Sequence, residues 1–246
     1  AQIVYYITAG VALGAPLRPV SFSVPSGNFG NVYAGHLARA LGLPIERLII
    51  GTNANDVLAR YLSSGGMTLA PVIPSLSPSM DIQVASNFER LLFELKGRSG
   101  ATVTAALRRF RDTGALPADE QAWRAARALF SGHRVDDAAT LDTIADTYRR
   151  TGLLIDPHTA VAVAAARAEA ANADGATPIV ALATAHPAKF PDAVARATGI
   201  RPALPEALAE MMEKPERFTV LPNDVNAVAR YVRAHARRTG SGGGRD

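Results

Sequence analysis

The chain has no cysteine. This excludes a disulfide framework, a thiolate nucleophile and a zinc–thiolate site, and it fits a reducing compartment. Lysine is nearly absent: Lys96, Lys189 and Lys214 are the only three in 246 residues. That leaves few candidates for amine chemistry. Aromatic residues are sparse, and no basic run is interleaved with them, as a nucleic-acid groove would require. The net charge of +4 and pI near 9.7 therefore come from scattered arginines. The doublets Arg108-Arg109, Arg149-Arg150 and Arg237-Arg238 fall late in helical-looking segments, where a cation suits the helix dipole. No apolar run reaches the roughly 20 residues of a membrane-spanning helix. The opening AQIVYYITAGVALGAPL lacks the basic lead-in of a signal peptide. No nucleic-acid and no membrane partner is expected. The chain starts at Ala1 inside an apolar segment, which reads as a protein entered midway.

What is present is an ordinary globular composition, 48% hydrophobic and 20% charged, on a chain long enough to bury a sizeable core. Residues 1 to 13 read as a buried helix ended by Gly14 and Pro16. Residues 19 to 24 alternate as a strand, and a helix is expected over 31 to 41. The continuous apolar runs Leu48 to Gly51 and Ile179 to Thr184 read as strands covered on both faces. A helix over 55 to 63 follows the first of these. Residues 71 to 80 form a loop rich in proline and serine, and residues 81 to 173 look helical almost throughout. Asp156 and Pro157 open the last of these helices as N-cap and first-turn proline. Phe218 to Leu221 is expected as an edge strand and Asn223 to Arg238 as a closing helix. The pattern predicts an α/β fold: a mostly parallel open sheet with helices on both faces and a helical insertion over about 81–173. One domain over 1–238 and a flexible tail over 239–246 complete the expectation.

The most informative segment is VPSGNFGNVYAG, residues 24 to 35. A strand ends there, and a loop with Gly27 and Gly30 leads directly into a helix. Two glycines let peptide N–H groups converge without Cβ atoms in the way. The helix N-terminus adds unsatisfied donors and a partial positive charge. Ser26, Asn28 and Asn31 can add side-chain donors. The result is either a phosphate cradle or a plain strand-to-helix turn. No Walker A lysine and no G-x-G-x-x-G spacing names the ligand.

PSGNFGN, followed by GLPIERLIIGTNANDVLARYL, resembles the phosphate-cofactor loop and following unit of the threonine synthases. SPSMDIQVASNFERLLFEL from Ser77, GLLIDPHTAV from Gly152, ATAHPAKFPDAV from Ala183 and LPND near the end match in order. The weakest part is residues 97 to 150. The family usually has threonine where Ser26 stands and often aspartate at Asn31. Both differences keep a polar cap.

The resemblance implies a pyridoxal 5'-phosphate enzyme of fold type II, the tryptophan-synthase-β-like class, in the cytoplasm. The implied reaction converts O-phospho-L-homoserine and water to L-threonine and phosphate. The amides of Gly27, Asn28, Phe29, Gly30 and Asn31 would hold the cofactor phosphate, and Thr184 would face the pyridine nitrogen. On propensity alone Thr184 is also an ordinary β-branched strand residue. His186 either lines the site or caps the next turn. Asn87 and Arg90, at i, i+3 on one helix face, could bind the substrate phosphate, although Arg90 could equally pair with Glu94 at i, i+4. His158 reads as part of a helix start. Asp136, Asp137, Asp142 and Asp146 read as a solvated helix face, and no metal site is expected.

In the resembling motif Lys189 is not the cofactor lysine, and neither Lys96 nor Lys214 looks internal. The Schiff-base lysine is expected in an N-terminal segment of the same protein. The polypeptide alone is accordingly expected to be inactive. It is also expected to fold poorly, with Ile3, Val4, Tyr5 and Ile7 packing on that segment. Another lyase of the same cofactor fold, and a non-catalytic module binding a phospho-ligand or a partner, are the rival readings.

Overall fold

The computed structural model describes residues 1–171 and 175–236. The chain divides into two compact units, Ala1–Ala203 and Leu204–Asp246. The sequence marks no boundary there, because RPALPE lacks the composition of a linker. In the first unit, helix α1 (Ile3–Ala12) precedes strand β1 (Val20–Pro25), helix α2 (Gly30–Ala40), strand β2 (Ile45–Thr52) and helix α3 (Val57–Ser64). Strand β3 (Met67–Thr68), helix α4 (Phe88–Leu95), helix α5 (Gly100–Thr113), strand β4 (Ala115–Leu116), helix α6 (Glu120–Arg127) and strand β5 (Phe130–Arg134) follow. Helices α7 (Asp137–Thr151) and α8 (Pro157–Ala170), strand β6 (Ile179–Ala181) and helix α9 (Pro191–Thr198) complete the unit.

The main sheet has the order β5-β2-β1-β6, and every pairing in it is parallel: Phe22 lies opposite Leu48, Ser23 opposite Ala181 and Ile50 opposite Gly132. Strand β1 is buried along its whole length, its alternating Ser21 and Ser23 included. Alternate side chains go to opposite faces. Phe22, Val24, Leu48 and Ile50 join Tyr6, Phe29, Val32 and Tyr61 in the larger core cluster. On the other face α8 lies almost in backbone contact. Ser23 Oγ donates to Ala162 O at 2.7 Å, and a Cβ on Gly51 would sit 2.9 Å from Val161 Cγ1. The small residues of α8 permit that approach, and α7 in turn packs against α8 and α9.

Three expectations need correction. The stretch 81–173 is not helical throughout, because β5 enters the sheet beside β2. FSGHR has no β-branched residue to announce a strand; its Gly132 instead lets α3 close in, with Ala59 Cα 3.0 Å from where a Cβ would be. The second strand stops at Ala181 and is half-buried, since it lies at the sheet edge. Helix α1 is largely exposed rather than buried: Tyr6 and Gly10 are buried, and Ile3 and Ala9 pack partly buried against the core.

The second unit contains helix α10 (Glu206–Ala209) and helix α11 (Val225–His235). Asp224 caps α11, accepting from the amides of Asn226 and Ala227. Residues 218–221 do not form the expected edge strand; Phe218 and Val220 are exposed, and no strand is present among the described residues of this unit to pair with. Arg237, Arg238 and the tail over 239–246 lie outside the described residues.

Candidate active site

Strand β1 passes through α2 to β2 on one side, and the chain returns through α8 to β6 on the other. The loops leaving β1 and β6 therefore diverge. This divergence opens a crevice beyond the carboxyl ends of the strands, where open α/β sheets bind ligands. A cavity of about 240 Å³ occupies it. Ser26, Gly27, Asn28 and Asn31 line it from the β1–α2 loop, and Thr184 and Ala185 from the segment after β6.

The glycine loop is held from beneath by Phe29. This residue takes the left-handed conformation (φ 69°) as N-cap of α2, while its ring is fully buried against Phe88 at 5.2 Å and Phe130 at 5.7 Å. The loop partly satisfies itself: Phe29 N donates to Ser26 Oγ at 3.1 Å and Gly30 N to Asn28 Oδ1 at 3.0 Å. The amides of Gly27, Asn28 and Asn31 find no acceptor among the described residues. Of the five amides expected to hold a phosphate, these three are the ones left free to do so. Gly27 has no room for a side chain, because a Cβ would lie 2.8 Å from Ile82 Cγ1 and 2.9 Å from Met80 Cα. Tyr6 donates its hydroxyl to Asn31 O at 2.7 Å and to Asn31 Oδ1 at 3.0 Å. Burial pushes that phenol well above its ordinary pKa, so it stays a donor and fixes the first turn of α2.

A buried polar network braces the opposite wall. Asp81 Oδ1 accepts from Asn53 Nδ2 at 2.7 Å, Asn55 Nδ2 at 3.1 Å and Ser75 Oγ at 2.6 Å. The serine-rich loop is thus a tied-down segment that carries Met80 against Gly27. In the sequence those serines stand beside a possible phosphate route, and nothing there connects them with Asn53 and Asn55.

The other candidate residues named from the sequence separate. Asn87 is brought to the loop: its amide donates to Asn28 O at 3.0 Å. Arg90 is not. Its guanidinium lies 4.2 Å above the Tyr33 ring, in a different groove with Phe93 and Val103. Nor does it pair with Glu94, which is bound by Arg98 at 2.9 Å. His186 is exposed and caps the turn over Pro187–Lys189, accepting from Ala188 N at 3.1 Å. It does not line the cavity. Thr184 lies in the loop beyond β6 rather than on the strand, and is exposed where it lines the cavity. Lys189 lines the cavity from its exposed rim, whereas Lys96 is bound to Asp119 after α4. Among the described residues no cluster of histidine and carboxylate groups could hold a metal ion, and no helix is long and apolar enough to cross a membrane.

His158 emerges as a cavity residue, where the sequence pattern points only to a helix start. Asp156, completely buried, caps α8 by accepting from the amides of His158 at 2.8 Å and Thr159 at 3.3 Å. It also accepts from the Thr159 hydroxyl and bonds His158 Nδ1 at 2.9 Å. Burial alone would raise the Asp156 carboxyl, but the donors from His158 and Thr159 outweigh it and hold the group below its ordinary range. His158 lines the cavity, with the Phe190 ring packed against it at 4.7 Å. Its other ring nitrogen, Nε2, is buried and has no partner among the described residues.

Known proteins share this architecture. Residues 159–232 match the family described as "Threonine synthase, C-terminal". The chain is 51% identical to threonine synthase of Pseudomonas aeruginosa over 239 residues, covering 97% of this chain and 50% of that protein. It is 42% identical to threonine synthase of Corynebacterium glutamicum, covering 94% and 49%. The crystal structure of PLP-bound threonine synthase from Brucella melitensis superposes with a TM-score of 0.87 at 49% identity, over 96% of this chain and 50% of that one. The yeast enzyme superposes with a TM-score of 0.82 at 35% identity, over 94% and 50%. The chain thus spans about half the length of the relatives it matches. On these identities and superpositions, which extend over nearly its whole length, the chain belongs to the threonine synthase family.

Proposed function

We propose that this chain supplies the phosphate-holding side of a pyridoxal 5'-phosphate site, in a protein that converts O-phospho-L-homoserine and water to L-threonine and phosphate. The observation that carries this reading is the glycine loop at the sheet's switch point, with the uncommitted amides of Gly27, Asn28 and Asn31 at the N-terminus of α2. Such amides complement a phosphate dianion, and the helix dipole adds to the attraction. The cradle admits no Cβ at Gly27, and no carboxylate is among the side chains that line the cavity. The residues present therefore fit the group.

When bound, the cofactor would supply the electron sink for the substrate's carbon chemistry. The chain's own residues would bind and orient it. The loop amides would take the phosphate, Asn87 braces the loop through its backbone bond to Asn28, and the Thr184 hydroxyl would serve the ring nitrogen. A neutral hydroxyl there would leave that nitrogen less firmly protonated than a carboxylate would. None of Lys96, Lys189 and Lys214 is assigned the Schiff-base role, which calls for a desolvated amine aimed at the cofactor aldehyde. The reading places that lysine in another segment of the protein. It also places the protein in the cytoplasm.

The test is to incubate the complete protein with O-phospho-L-homoserine and cofactor. Threonine and phosphate released in equal amounts are expected. Absence of phosphate release, or formation of a 2-oxo acid in place of threonine, overturns the assignment.

A further inference from the structure

We propose that His158, oriented by Asp156, is an anion-binding residue of the cavity whose Nε2 contacts an oxygen of a phosphorylated ligand. This inference deepens the preceding one, because it rests on the cavity being a phosphate site.

Buried polar side-chain atoms are nearly always paired, and one that is not calls for an explanation. His158 Nε2 is such an atom, on a side chain only 6% exposed. The ring cannot turn to hide it: Nδ1 is committed to Asp156 Oδ1 at 2.9 Å, and the ring packs against Phe190. Asp156 is in turn held by three donors besides the imidazole. The fully buried carboxylate holds Nδ1 as its donor and leaves Nε2 as the ring's unpartnered polar atom. The same carboxylate–imidazole relation orients histidines toward ligands at other sites.

The surroundings select the ligand's sign. The cavity wall contributes the loop amides, the Asn31 side chain, Thr184 and the cation Lys189, and no carboxylate. Asp156 at the N-cap of α8 bonds the imidazole, and Lys189 on the 187–189 turn lines the same cavity. The β1–α2 loop and the segment around Met80 present no charged or titratable group to the cavity. A proton on Nε2 would give this donor-rich space a second charged donor, of the kind that strengthens hydrogen bonds to phosphate oxygens.

The test uses the complete protein without cofactor and two probes, inorganic phosphate and sulfate, with affinity read by calorimetry. His158→Gln keeps most of the side chain's volume and can pair with Asp156, so its thermal unfolding curve serves as the folding control. The expected result is about tenfold weaker phosphate binding in His158→Gln, the loss typical of one charge-assisted hydrogen bond. Sulfate keeps its charge through the neutral range. Its affinity should likewise be about tenfold lower in the variant than in the wild type, since it offers the same oxygens at constant charge. A folded His158→Gln that binds either anion as tightly as the wild type overturns the proposal. No binding of either anion by the wild type overturns it too. Because the readout is binding, a protein that binds phosphate through His158 but does not turn over O-phospho-L-homoserine would refute the reaction assignment and leave this one standing.

Discussion

Phe29 carries a backbone conformation that costs a non-glycine residue about 1–2 kcal/mol, and it is tolerated because its ring is locked among Phe88 and Phe130. Strain of this kind persists only where the surroundings over-determine it. Removing the ring should remove the restraint: Phe29→Ala is expected to destabilise the complete protein by about 3–5 kcal/mol in urea unfolding, with weaker cofactor binding as a consequence. The glycines and the helix start make this loop legible in the sequence. The commitment of the Phe29 and Gly30 amides to Ser26 and Asn28 is not legible there, because it depends on side-chain rotation. His158 is hidden for a related reason. Asp-Pro-His at a helix start is fully explained by capping, and only the fold shows that α8 begins beside the cavity. The one available signal is the apolar run on both sides of that triplet, which marks an N-terminus too buried for an ordinary solvent-facing cap.

At the scale of elements, α8 joins sheet and site, and its start depends on Asp156. The Asp156 carboxyl is held below its ordinary value of 3.8 in the folded chain. Its stabilising effect is therefore present above that value and is lost as pH falls through the lower folded value. Asp156→Asn removes the charge from its hydrogen bonds to His158 and Thr159 and is expected to cost about 1–2 kcal/mol at pH 7. The difference from the wild type should start to narrow below about pH 4, where the unfolded-state carboxylate begins to protonate, and close only below the lower folded value. A difference that stays constant down to that value would deny the carboxylate its role. Strand β1 is readable from its alternation and β2 from its continuous apolar run. Strand β5 is not, since FSGHR owes its place to Gly132 admitting α3 rather than to any propensity of its own.

For the whole molecule, the first unit is an α/β layer structure whose crevice forms where β1 meets β6. The layers follow from the alternation of strands and helices along the chain, whereas the pairing of β1 with β6 comes from the fold alone. Helix α1 shows what does not follow. Its apolar composition suggests burial, yet Val4 and Tyr5 are each 60% exposed and Val11 is 59% exposed. Contiguous apolar exposure of this kind favours association with other surfaces. The isolated 246-residue polypeptide is expected to release no phosphate from O-phospho-L-homoserine. Calorimetry is expected to show a low, poorly cooperative unfolding transition for it. Turnover by the isolated chain would place the catalytic amine within it and contradict the assignment.

The central claim is that the loop at Gly27 holds the cofactor through its phosphate. The most direct measurement compares the affinity of the complete protein for pyridoxal 5'-phosphate with its affinity for pyridoxal, which lacks the phosphate, in the wild type and in Gly27→Val. The side chain introduced by the substitution would meet Met80 and Ile82 and close the cradle. A preference of about a hundredfold or more for the phosphorylated form is expected in the wild type, in line with several charge-assisted hydrogen bonds, with its near disappearance in Gly27→Val. A folded variant that keeps the wild-type preference would contradict the claim.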